Sequence, residues 1–402
     1  MSHQKSTRLQ IADIAQFLEA HRPLWEQRPF VSVPVPWETE WTELSLACRA
    51  VTSQELRAAE ADPVAFFSAR GVALPLMQRL KEVDNWASLI PDTMFDEPPR
   101  PAGVDGRKWS QITRFVQAAV PFVSVNVRRW VDWCAGKGHL GNAMCAQTGH
   151  PGIALELDAQ LVRRMSAMQP GGALLQFRQS DVLVDNLHDV FDANTGVVAL
   201  HACGHLNSRL LALSATCRPA FLAVVPCCYQ RIDGMSFSPM SNAARQTGFG
   251  LTRHQLRLPA LDEVTVSDDR RRFRKREMAF RQGTDLLLRD STGKDEYTPL
   301  GRIPPYVIRA PFEQFARFSA AKIKLPLPVN VNWRAAEAAG YERQHLVSAL
   351  SLSRQLFRRS LETWLFLDRI AFLEERGFHV TAGIFCSREI TPRNLMLLAH
   401  PM

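Results

Sequence analysis

The chain has 402 residues, 46% of them hydrophobic, with 48 Lys+Arg against 40 Asp+Glu and a formal net charge of +8. That apolar content supports a large core and excludes global disorder, and the length fits two or three domains or one elaborated α/β domain. The positive balance leans toward a polyanionic partner.

The N-terminal stretch "MSHQKSTRLQIADIAQFLEA" is polar throughout and offers no signal h-region, and no apolar run approaches the roughly 20 residues that span a bilayer. Residues 1–104 read as a helical N-terminal domain. "IADIAQFLEAHRPLW" and "PVAFFSARGVALPLMQRLKEV" have helical spacing of apolar positions, and "RPFVSVPVPWETEW" between them is too rich in proline for regular structure. "DEPPRPAGVDG", 96–106, reads as a linker. From 107 onward the rhythm changes: "RRWVDWC", "GIALELD", "LLQFRQSDV", "GVVALHACG" and "AFLAVVPCCY" are short apolar strands separated by helical segments. This alternation predicts a doubly wound parallel sheet covered on both faces.

Residues 231–340 interrupt the pattern and read as an insertion over the ligand end of the sheet, after the fifth strand. One long helix, "SRQLFRRSLETWLFLDRIAFLEERG", follows, and then "FHVTAGIFC" and "RNLMLLAHP". The short turn region between these last two runs predicts an antiparallel pair. Eight cysteines lie at 48, 134, 145, 203, 217, 227, 228 and 386, with no C-x-x-C pair. That usage predicts a reduced, cytoplasmic setting, with no membrane association.

The stretch "VDWCAGKGHLG", 131–141, places G-x-G-x-x-G at the end of the first strand. A glycine turn opening a helix suits a pyrophosphate, as in nicotinamide dinucleotide sites, but also other nucleosides. Asp132 repels a phosphate and favours an ammonium, so the pair points to an amino-acid-bearing sulfonium cofactor over a dinucleotide. Glu156, 20 residues after Gly136, ends the second strand, where a carboxylate takes ribose hydroxyls. Asp181 in "QSDVL", with the amide of Val182, is placed to read an adenine edge; its alternative is a helix cap or turn residue.

The D-W-C-A-G-K-G-H-L of 132–140, the L-H-A-C-G of 200–204 and the V-P-C-C-Y of 225–229 resemble a branch of the class I S-adenosylmethionine-dependent methyltransferases. That branch holds the methyltransferase-like protein 25 relatives, the glutathione S-transferase C-terminal-domain-containing protein and, more distantly, tRNA 2′-O-methyltransferases. The likeness extends to "SFSPMS" at 236–241, "LDRIAFLEERG" at 367–377 and "TPRNLMLLA" at 391–399. It implies a Rossmann-like methyltransferase domain over 105–402, with seven strands, the last one antiparallel. It also implies S-adenosyl-L-methionine as cofactor, lined by Asp132, Cys134, Gly136, Gly138, Glu156 and Asp181. Ala135, Leu157, Val182 and His201 are their candidate neighbours.

The amine-methylating motif D/N-P-P-Y/F expected after the fourth strand is replaced by His201-Ala202-Cys203-Gly204. Cys203, Cys227 and Cys228 are candidate nucleophiles, since methylation at pyrimidine C5 uses a thiolate; the alternative is inert packing. A metal held by His201, Cys203, His205, Cys227 and Cys228 is conceivable, but the spacing matches no structural zinc pattern, and no metal is expected. Tyr229 is a candidate for stacking on a base or bonding a substrate. The stretch 268–281 counts seven Lys/Arg against three Asp/Glu, interleaved with Phe273 and Phe280. Arg270, Arg271, Arg272, Arg274, Lys275 and Arg276 are the residues expected to meet RNA, against the alternative of a solvated face. The expected activity is methyl transfer to RNA, with protein as second acceptor, and with oxidoreductase or non-catalytic RNA-binding readings behind.

Overall fold

The apolar runs in the middle and at the end of the chain form seven strands: β1 (Arg129–Trp133), β2 (Gly152–Glu156), β3 (Leu175–Gln179), β4 (Thr195–Cys203), β5 (Phe221–Cys227), β6 (Phe378–Ile384) and β7 (Leu395–Pro401). They make one sheet in the order β3-β2-β1-β4-β5-β7-β6. In this computed structural model residues 6–91, 99–169, 171–261, 266–294 and 296–402 are described. β1 to β5 pair in parallel, and β7 runs antiparallel to both β5 and β6. The expected closing pair forms in full, from Phe378↔Pro401 to Ile384↔Leu395.

β5 is buried at every position, as a central strand covered on both faces requires. Trp130 fixes the centre of the sheet. Its ring meets Phe221 edge-on at 6.3 Å, and its indole N–H donates to Thr148 Oγ1 at 2.8 Å. A Cβ at Gly196 would stand 2.5 Å from that ring, so the neighbouring strand needs glycine there. The order reverses between β1 and β4, which opens a crevice at their carboxyl ends.

The chain divides into two compact units: Met1–Ala20, Val83–Val264 and Arg358–Met402 with the sheet, and His21–Glu82 with Thr265–Phe357. The expected boundary at 104/105 is not where they part. The helix Thr7–Ala20 packs its Ile11, Ile14 and Leu18 within the sheet unit, and 83–104 lie there too. Residues 21–82 instead build a unit with 265–357, whose described residues hold helices and no strand. The expected insertion therefore splits, with 231–264 in the sheet unit. Part of the expected linker, 96–98, lies outside the described residues. The long C-terminal helix is broken at Phe357 into Leu352–Leu356 and Arg358–Glu374.

Within the second unit Phe280, Phe312 and Phe315 form an edge-to-face cluster. The helices Asp268–Thr292 and Trp333–Leu350 cross at Gly283 and Gly340, where a Cβ on Gly340 would come within 2.5 Å of the Ala279 carbonyl. No helix among the described residues is long and apolar enough to cross a membrane.

Candidate functional site at the carboxyl ends of the strands

After β1 the backbone turns through three left-handed residues, Cys134 (φ 57°), Gly136 (φ 58°) and Gly138 (φ 70°), into the helix His139–Thr148. The two glycines answer different needs. A Cβ on Gly138 would strike Phe177 at 2.5 Å, so this glycine packs the turn on β3. A Cβ on Gly136 would meet nothing within 4 Å, so the backbone here is open to a ligand.

Glu156 organises that opening. Its Oε2 accepts the Gly136 amide at 2.8 Å and its Oε1 accepts the Asp158 amide at 3.0 Å, which ties the glycine turn to the end of β2. Next along, Leu157 is 61% exposed although aliphatic. At the end of β3 the Asp181 carboxylate accepts the Leu183 amide at 3.0 Å, and Ser180 and Asp181 both bond Asp185. Leu183 and Val184 are exposed as well. Acceptors for hydroxyls at β2, a polar edge at β3 and exposed aliphatics beside both make a site suited to a nucleoside. Sequence reasoning did not single out Leu183 and Val184; a run of three aliphatics, Val182 to Val184, after an acid at a strand end was the available signal.

Asp132 takes a different place from the one expected. It is 2% exposed, and its Oδ2 accepts the amide of Gly141 at 2.8 Å, in the first turn of the helix His139–Thr148. The fit is close: a Cβ at Gly141 would lie 2.9 Å from the Asp132 Cβ. Burial pushes its pKa up to about 7, against the lowering effect of the Gly141 bond. The carboxylate is thus used inside the protein to seat the helix that follows the turn. Burial also raises Cys134, to about 12, so its thiol stays neutral.

The ends of β4 and β5 are shaped by one proline. Pro226 has no N–H for the ladder, and opposite it the register slips: Leu200 pairs with Val225 and Ala202 with Pro226, so His201 is left over. His201 adopts φ 62°, and its Nε2 meets Gln111 Oε1 at 2.9 Å. The Gln111 amide nitrogen already donates to the Ile390 carbonyl, so Nε2 carries the proton of a neutral ring. Desolvation, with Arg393 nearby, lowers the His201 pKa to about 4. His205 is engaged by Asp233 at 2.9 Å.

Past the bulge Cys203 pairs with Cys227, and their Sγ atoms stand 3.1 Å apart. Cys228 (φ 45°) turns its thiol toward the same point, so that all three Sγ atoms lie within 4.8 Å of one another. Donation from the Cys203 and Cys227 thiols, with Arg393 and Arg231 nearby, holds Cys228 well below the usual thiol range, while Cys227 is pushed up. Tyr229 is 4% exposed under the Arg369 guanidinium, which lies 4.8 Å from its ring, so it is closed to base stacking. Gly204 is needed here, since a Cβ would fall 2.0 Å from the Arg231 carbonyl. Gln111, Arg231 and Arg393 were not singled out from sequence, because only the fold brings them to this corner.

The basic stretch is the N-terminal half of the 25-residue helix Asp268–Thr292 in the second unit, its side chains spread around the helix. Arg270, Arg272, Arg274 and Lys275 are exposed, although Arg272 also pairs with Asp269. Arg271 donates to the Val266 carbonyl and Arg276 to the carbonyls of Arg309 and Ala310, so those two serve the fold. Phe280 is 1% exposed and belongs to the core, not to a stacking surface; Phe273 is half-buried under Arg309. A cavity of about 660 Å³ in the sheet unit, lined by Trp109, Val116, His139, Met168 and Phe177, contains none of Asp132, Glu156 and Asp181. It is also lined by Pro99 and Pro101.

Residues 107–235 match a family model described as a methyltransferase domain. Among solved structures, the chain is similar to an RNA methyltransferase from Salinibacter ruber in complex with S-adenosyl-L-homocysteine, at 17% identity and a TM-score of 0.24, over 35% of this chain and 86% of that one. It is similar to CalS10, an amino pentose methyltransferase from Micromonospora echinaspora with S-adenosylmethionine bound, at 19% identity and a TM-score of 0.23, over 31% and 52%. The N-terminal domain of EvdMO1, with S-adenosylhomocysteine bound, matches at 19% identity and a TM-score of 0.25, over 37% and 62%. This chain therefore spans about half to three-fifths of the length of the last two. The strand order, with its inserted antiparallel β7, and the matched domain make this the class I, Rossmann-like methyltransferase fold.

Proposed function

We infer that this enzyme, a methyltransferase that uses S-adenosyl-L-methionine, delivers the methyl group to RNA, and that it belongs with the methyltransferase-like protein 25 relatives. The observation that supports the cofactor is the open Gly136 backbone beside the Glu156 carboxylate. When bound, the cofactor supplies an electrophilic methyl group on a sulfonium. Glu156 would hold the ribose hydroxyls, and Asp181 with the Val182 amide the adenine edge. Leu157 and Leu183 would cover the base, while Asp132 keeps the helix behind the turn in place.

Support for an RNA acceptor comes from the exposed Arg270, Arg272, Arg274 and Lys275 on one helix, a placement that suits phosphates. His201, tied to Gln111 and with its pKa lowered to about 4, is a weak base, and Tyr229 is closed off, so neither is given the chemistry. Acceptance then rests on positioning in a site that excludes water.

The test is transfer of labelled methyl from the cofactor to total RNA and to total protein from cells lacking the gene. Label in RNA is expected, reduced at least tenfold by Glu156→Ala. The quadruple change of Arg270, Arg272, Arg274 and Lys275 to Ala is expected to weaken RNA binding and its salt dependence, while S-adenosylhomocysteine affinity is unchanged. Label confined to protein overturns the RNA assignment.

A further inference from the structure

We propose that Cys203, Cys227 and Cys228 form a zinc site, three thiolates on one ion with the fourth coordination position open. Nothing in the spacing of these residues suggests such a site, and the fold assembles it in three steps. Pro226 interrupts the β4–β5 ladder, and the bulge at His201 absorbs the mismatch. The slip brings Cys203 level with Cys227, and paired residues on neighbouring parallel strands send their side chains to the same face of the sheet. Residues 227 and 228 would then point to opposite faces if the strand ran on, because successive Cβ atoms alternate. The chain instead leaves the strand at Cys228 with φ 45°, a left-handed conformation that side-chain-bearing residues disfavour. Its effect is to bring the third sulfur to the other two.

Three sulfurs within 4.8 Å of one another are the ligand set of a tetrahedral soft-metal site. With Zn–S bonds near 2.3 Å the sulfurs of such a site stand about 3.8 Å apart. The 3.1 Å between Cys203 and Cys227 is longer than a disulfide, and opening it to the zinc spacing takes a small rotation. Cys203 and Cys228 are part-exposed, so the fourth position is reachable from the carboxyl ends of the strands. The two histidines that sequence alone offers are engaged elsewhere, His201 with Gln111 and His205 with Asp233. Binding releases to solvent whatever protons the three thiols carry, with no change of oxidation state.

The test uses the full chain, purified without chelator, with metal content read by inductively coupled plasma mass spectrometry. One zinc per chain is expected, and its release by a mercurial reagent should be seen with a zinc indicator dye. Cobalt substitution should give the visible and near-ultraviolet bands of tetrahedral thiolate coordination. Cys203→Ser, Cys227→Ser and Cys228→Ser should each lower the zinc content at least fivefold, whereas Cys217→Ser should leave it unchanged. Circular dichroism separates loss of metal from loss of fold, and the wild-type release and cobalt spectra stand without any variant. No stoichiometric metal, three freely titrating thiols, a Cys203–Cys227 disulfide, or iron in place of zinc would each overturn the site. S-adenosylhomocysteine affinity is measured in parallel, so a chain that binds it but holds no metal ends this proposal and leaves the methyltransferase reading intact.

Discussion

Asp132 lies at the end of β1 with its side chain almost fully buried and one oxygen on the Gly141 amide. A carboxylate at the end of β1 was evident from "VDWCAG", and its distance from the glycines suggested a counter-charge for a ligand. Only the fold shows that Gly141 lets the helix start approach closely enough to give this buried carboxylate an amide donor. Its pKa, raised from 3.8 to about 7, has a consequence for stability. Between those values the folded chain holds a proton that the unfolded chain has lost. This contribution is therefore present at low pH and disappears as pH rises toward 7, with a full span of about 4 kcal/mol at most. Asp132→Asn keeps an acceptor for Gly141 but cannot ionise. Its stability relative to the wild type should rise between pH 4 and 7 and level off above 8, read by urea unfolding across pH. Parallel wild-type and variant curves would rule out a buried ionisation at this position.

At the scale of elements, the sheet was readable because each strand is a short apolar run bounded by turn residues, and the last two runs are too close for a crossover. The joins between distant segments were not readable. "SFSPMS" and "LDRIAFLEERG" are separate motifs in the chain, yet Asp368, fully buried, accepts the amides of Met240 at 3.0 Å and Ser241 at 2.8 Å and the Ser241 hydroxyl at 2.8 Å. Beside it Arg369 donates to the same carboxylate and lies over Tyr229 and Phe237. Glu375 accepts the Asn242 and Ala243 amides at the start of the next helix, where a carboxylate is favoured. The helix Arg358–Glu374 and the residue just past its end thus anchor the loop that follows β5 through two acids. Asp368→Ala leaves three donors without their acceptor and a buried guanidinium, still bonded to the Leu365 carbonyl, without its counter-charge. It should cost about 3–5 kcal/mol in urea unfolding, with Asp368→Asn losing less. A loss below about 1 kcal/mol would mean that the loop is held by packing alone.

At the scale of the whole chain, composition and proline-rich punctuation suggested a boundary near 104, but long-range pairing decides otherwise. Residues 21–82 and 265–357 share one unit through contacts that no local pattern announces. His345 reaches the Val51 carbonyl at 2.9 Å, Ser353 the Leu24 carbonyl at 3.0 Å, and Gln282 the Phe30 carbonyl at 3.0 Å. Trp25 and Trp37 are almost fully buried, so cutting the chain at 104 would uncover the faces they cover. The sheet unit would also lose the helix Thr7–Ala20, which packs on Arg358–Glu374. A protein of residues 105–402 should therefore expose apolar surface, aggregate and lack a cooperative transition, even though it contains the whole matched domain. Supplying residues 1–104 as a separate chain during expression should restore a soluble complex that co-elutes and unfolds cooperatively. If 105–402 alone is monomeric, unfolds in one sharp transition and binds S-adenosylhomocysteine as the full chain does, then the N-terminal residues are an accessory and not part of both cores.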